Sequence, residues 1–70
     1  MFSEMVEIAL IKQKMSKTAL ADTINTSSQN LYDRMKRDNM TENQMREIAQ
    51  ALGGELIIKI KFKGGEEIWV

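Results

Sequence analysis

The chain has 70 residues, its ten Lys and Arg balance ten Asp and Glu to a net charge of zero, and it contains no Cys, His or Pro. That composition excludes disulfides and the usual structural zinc ligands, and it argues against a nonspecific nucleic-acid coat, which needs surplus cations to release counterions. One small domain of this length buries only about 60% of its unfolded surface, so with both common staples missing, self-association is the remaining source of added stability.

The apolar stretches are short, and MFSEMVEIALIKQK carries acidic residues among its apolar ones, a pattern of neither a secretory signal nor a membrane span. A soluble cytoplasmic protein is expected, and the lack of Cys fits a reducing compartment. The six Met residues read as gap-filling core or interface.

In chain order, the spacing predicts a first helix over Phe2 to Lys14, with Ser3 as N-cap and Glu4 and Glu7 in the turns where the helix dipole favours negative charge. Phe2, Met5, Val6, Ala9 and Leu10 form its inner face, while Ile8 and Ile11 lie off that face, free to cover a C-terminal hairpin or a second subunit. A second helix opens at Ser16, a capping residue, with Met15 before it placed to staple onto Leu20. Leu20, Ala21 and Ile24 point inward, and Ala21 matters by being small where two short helices cross closely. Asn25 ends this helix because Asn tolerates the left-handed backbone region, and Ser27 caps the next.

On the third helix Leu31 and Met35 are one turn apart and face inward. At about 100° per residue the opposite side is then Ser28, Gln29, Tyr32, Asp33 and Lys36. Hydroxyls, an amide and single charges of each sign suit base edges and phosphates, although a solvated surface helix would have the same composition. The preceding cap, small residue and tight turn favour the first reading, because two short helices so joined are a frequent reader of DNA grooves.

Met40 to Leu52 predicts a fourth helix, with Thr41 and Gln44 as a capping box, Met40 and Met45 as a staple, and Met45, Ile48, Ala49 and Leu52 as its inner stripe. Gly53 and Gly54 end it. From Glu55 the period becomes two, and Gly64-Gly65 predicts a hairpin whose two-residue turn pairs Lys63 with Glu66, Phe62 with Glu67 and Ile60 with Trp69. Ile57, Ile68 and Val70 on the second face of that hairpin favour dimerisation, since a lone two-stranded hairpin is marginal in water. The expected fold is mainly α, four short helices with a C-terminal β-hairpin: residues 1–54 form the helical domain and 55–70 a hairpin extension of it, a candidate dimerisation element. No catalytic residues, metal, cofactor or small-molecule ligand are expected, because there is no His or Cys, no Gly-rich phosphate loop, and the carboxylates are spread over helix faces.

The run KMSKTALADTINTSSQNLYDRMKR followed by DNMTENQMREIAQALGGEL resembles the Cro and lambda-repressor (XRE-like) helix-turn-helix family over about Ile8 to Leu56. Asn25 stands where that family usually has Gly, Thr26 where it has an aliphatic residue, and Met35 takes the inward place often found at Arg34. The resemblance implies a homodimeric transcriptional regulator, a repressor bound to a palindromic site on double-stranded DNA. It implies that Lys17 and Thr18 meet phosphates, that Ser27 and Ser28 approach the backbone or a base edge, and that Gln29 reads adenine with its amide. Tyr32 would touch a thymine methyl or a phosphate, Asp33 would accept from cytosine or repel wrong registers, and Lys36 and Arg37 would hold phosphates. The alternative is a protein-interaction module on the same fold, such as a phage-encoded inhibitor or adaptor.

Overall fold

Four helices followed by a two-stranded antiparallel hairpin make up the fold: α1 (Phe2–Gln13), α2 (Lys17–Thr23), α3 (Ser28–Arg37), α4 (Glu42–Ala51), β1 (Lys59–Lys61) and β2 (Glu67–Trp69). This computed structural model describes residues 1–69, so Val70, expected on the second hairpin face, lies outside the described residues.

One apolar cluster holds the helices together. Val6 and Leu10 of α1, Leu20 and Ala21 of α2, Leu31 and Met35 of α3, and Ile48 and Leu52 at the end of α4 are its buried members. Phe2, Ala9, Met15, Ile24, Met40 and Ala51 pack around it half-buried. α2 packs on α3 and on α4, and α1 on α3 and on α4. Truncating one of the fully buried Leu side chains to Ala would cost about 2–5 kcal/mol, a large share of what so small a domain has.

Local chemistry explains most of the boundaries. Ser16 accepts a hydrogen bond from the Ala19 amide at 3.0 Å, Ser27 from the Asn30 amide at 3.0 Å, and Thr41 exchanges a capping box with Gln44. Asn25 has φ 59° and ends the α2 turn, where the Thr26 amide donates to the Ala21 carbonyl at 2.9 Å.

α1 departs from expectation at three points. The helix starts at Phe2 with Met1 in the cap position, so Ser3 lies inside it and its hydroxyl donates instead to the Met35 carbonyl at 2.8 Å and to Asp38 Oδ1 at 2.9 Å. It ends at Gln13 rather than Lys14, which turns left-handed at φ 54° so that the Met15 amide reaches the Leu10 carbonyl. Met5, expected inside, is 61% exposed, while Val6 and Leu10 are the buried residues of this helix and Phe2 and Ala9 pack half-buried beside them.

The hairpin register is also corrected. Lys59 pairs with Trp69, Ile60 with Ile68 and Lys61 with Glu67, one residue out of step with the expected Ile60–Trp69 pairing. The loop is three residues long, closed by Phe62 N–H to the Glu66 carbonyl at 2.8 Å, with Gly65 N–H returning to the Phe62 carbonyl at 3.0 Å. Gly65 has φ +95°, the left-handed residue that such a bulged three-residue loop requires. Because strand side chains alternate, this one-residue shift separates the two faces cleanly. Lys59, Lys61, Glu67 and Trp69 share one face, with Lys59 Nζ 3.2 Å from Glu67 Oε2 and 5.2 Å from the Trp69 ring centre. Ile60 and Ile68 share the other.

The strands pack chiefly on each other, and all their residues but Glu67 are exposed. The hairpin is attached through its root, where Arg46 Nη1 donates to the Leu56 carbonyl at 3.2 Å. The molecule is accordingly long, 43 × 23 × 18 Å. No helix among the described residues is long and apolar enough to cross a membrane.

Candidate nucleic-acid interface

The outward side of α3 follows from what is buried on its inward side. Leu31 is fully buried and Met35 nearly so, and that packing leaves Ser28, Gln29, Tyr32, Lys36 and Arg37 exposed and Asp33 half-buried. Of the outer side expected from the 3.6-residue period, Ser28, Gln29, Tyr32 and Lys36 are thus exposed, and Asp33 is partly covered.

Two neighbouring elements bear on this face. The start of α2 lies beside the start of α3: Ser28 Oγ is 3.4 Å from Thr18 Oγ1, so Thr18, Ser27 and Ser28 form one polar shoulder. Ser27 spends one acceptor position of its hydroxyl oxygen on the cap to Asn30, and Asn30 Nδ2 donates to Thr26 Oγ1 at 2.7 Å. Lys17 is exposed, but its Nζ lies 2.7 Å from Glu7 Oε1 of α1. Lys17, Tyr32 and Lys36 then line a shallow depression of about 270 Å³ together with Ser3, Glu4 and Glu7. Sequence reasoning placed Glu4 and Glu7 only by their position in α1; their approach to the α3 face depends on how α1 crosses α3, a long-range fact with no local signal.

Within α3 the amide of Gln29 is oriented by its own helix. Nε2 donates to Asp33 Oδ1 at 3.0 Å, which uses one of the two amide N–H groups of this exposed residue. Arg37 Nε lies 3.4 Å from the Asp33 carbonyl. Arg37 does not join Tyr32 and Lys36; it lines a second, polar depression of about 210 Å³ with Asn30, Arg34, Asn39 and Gln44, facing the start of α4. Asn30 and Arg34 are one turn apart on α3, whereas Asn39 and Gln44 come there through the α3–α4 turn.

The far end of α3 is pinned to α1. Asp38 takes the left-handed C-cap position at φ 51°, and its carboxylate accepts from the Met1 α-amino group, from the Ser3 amide at 3.1 Å and from the Ser3 hydroxyl. Those donors, the Met1 amino group first, hold the Asp38 carboxyl down to about 2. The surface around α3 thus carries Lys17 and Lys36 beside Glu4 and Glu7 on one flank, and Arg34 and Arg37 on the other, about exposed hydroxyl, phenol and amide groups. Such a surface offers hydrogen-bonding groups more than a surplus of positive charge.

Comparison of this chain with family models, with curated proteins and with solved structures returned no match.

Proposed function

We propose that this chain is a sequence-specific DNA-binding regulator of the helix-turn-helix type, a homodimer that represses transcription by occupying a palindromic double-stranded site. The observation that carries the reading is the α3 face itself: with Leu31 and Met35 buried, Ser28, Gln29, Tyr32 and Lys36 stand outward together and uncovered. A ten-residue helix with such a face is of a size to enter the major groove. Gln29 offers an acceptor and a donor side by side, the pair that adenine N6 and N7 demand. Lys36 and Arg37, on the two flanks of the same helix, are suited to the phosphates on either side of the groove, and Thr18 and Ser28 to the adjoining backbone. Two copies would present their α3 helices about 34 Å apart, one turn of the duplex.

Selection of bound sequences from a random duplex pool tests this. The expected result is an enriched palindrome whose half-site centres are one helical turn apart, and absence of any enrichment at low salt overturns the reading.

A second reading, a protein-interaction module such as a phage-encoded inhibitor or adaptor, is favoured by one specific feature: Glu7 already occupies Lys17, and Glu4 borders the same depression. A gel shift at low salt separates the two, since a protein-binding face of this mixed charge retains no DNA fragment.

A further inference from the structure

The exposed surface of this chain is too large for a molecule that stays alone. It exposes 5380 Å², where a compact monomer of 8.0 kDa exposes about 4,450 Å². The excess of about 900 Å² is close to the roughly 800 Å² that each partner contributes to a standard protein–protein interface. The radius of gyration agrees, at 13.5 Å against about 11 Å for a compact domain of this length.

Beside Ile8 and Ile11 on the outer side of α1, exposed apolar side chains lie in two further places. One is the hairpin, where Ile60 and Ile68 share a face and are each more than half exposed, with Phe62 on the same alternation. The other is the helical body, where a groove of about 350 Å³ opens between α1, the end of α4 and the root of the hairpin, lined by Phe2, Met5, Ala9, Leu52, Leu56 and Ile57. A two-stranded hairpin is marginal in water by itself, and every strand residue of this one but Glu67 is exposed.

We propose that the hairpin of each copy lies with its Ile60, Phe62 and Ile68 face in the α1–α4 groove of a second copy of this chain, so that two hairpins fill two grooves about one two-fold axis. Each surface is then complementary to the other and the contact closes as a dimer. The hairpin root lines the groove through Leu56 and Ile57, so crossing arms from two copies meet where each arm leaves its own body. This deepens the homodimer proposed above and rests on that part of it alone.

The test needs no DNA, so its failure is distinct from a failure to bind an operator. Sedimentation across a protein concentration series is expected to give a dimer for the parent chain and monomers for Met5→Glu and Ile60→Glu, with unchanged helical circular dichroism, since both residues are exposed. The chain contains no Cys, so Met5→Cys and Ile60→Cys proteins, mixed and oxidised, are expected to cross-link to each other in excess of either with itself. That measurement stands even if a charged variant unfolds. A monomeric parent at every concentration overturns the proposal. So does an Ile60→Cys protein that cross-links only with itself, because the hairpins would then pair with one another and leave the groove empty.

Discussion

At the scale of single residues, the division of labour on α3 makes separable predictions. Gln29 is exposed and its amide is bonded to Asp33, so on the proposed function Gln29→Ala is expected to relax base preference at one position of the site for about 1–3 kcal/mol while other positions keep theirs. Lys36 is exposed, and its ammonium suits a phosphate better than the pattern of one base edge. Lys36→Ala should weaken all sequences alike and lower the slope of log affinity against log salt by about one. Glu7 works in the opposite direction, because it occupies Lys17 at 2.7 Å. Glu7→Gln should therefore tighten binding to every duplex and steepen the same slope, both measured by salt titration of a labelled fragment. In the core, Ala21 is completely buried where α2 meets its neighbours. Ala21→Leu is expected to destabilise the domain by about 1–3 kcal/mol, read as a lower urea midpoint, because the added methylenes have no space to occupy.

At the scale of elements, the caps and the loop set how each segment begins and stops. The three helices after α1 each start on a hydroxyl that accepts the amide three residues on, and this local rule needs no tertiary information. The hairpin depends on Gly65, whose φ of +95° is strained for any residue with a Cβ although no atom crowds the site. Gly65→Ala is expected to weaken or shift the β1–β2 pairing, seen as loss of the Ile60–Ile68 cross-strand contacts in NMR spectra, with the helical resonances unmoved. Unmoved hairpin contacts would mean that the bulged loop does not govern the register.

For the whole molecule, α1 and α3 are tied at one end by the Ser3–Asp38 clasp and at their centres by the core. The folded carboxyl of Asp38 sits at about 2, below its ordinary 3.8. A group depressed in this way adds stability that is fully present above the unfolded value and disappears as pH falls from about 3.8 through about 2. Asp38→Asn is therefore expected to be less stable than the parent at neutral pH and to show a flatter fall in melting temperature between pH 4 and pH 2. Because the clasp fixes where α3 ends, the same variant also tests whether the orientation of the α3 face depends on α1.

Leu20, Ala21, Leu31, Met35 and Ile48 could be assigned to the interior from sequence alone, because a helix of 3.6 residues per turn has one apolar stripe to bury, and burying it determines the opposite side as well. The caps at Ser16, Ser27 and Thr41 and the left-handed Asn25 were equally local matters. Gly64-Gly65 announced a hairpin, but the two-residue turn expected there is a three-residue loop in the structure, and one residue's difference exchanges the faces of a strand. Only the tertiary structure decided that Ser3 joins Asp38 instead of capping α1, that Glu7 reaches Lys17, that Met5 lies outside, and that the hairpin projects with its isoleucines uncovered. Each of these depends on how elements distant in the chain approach one another, and periodicity along a single helix or strand carries no information about that approach.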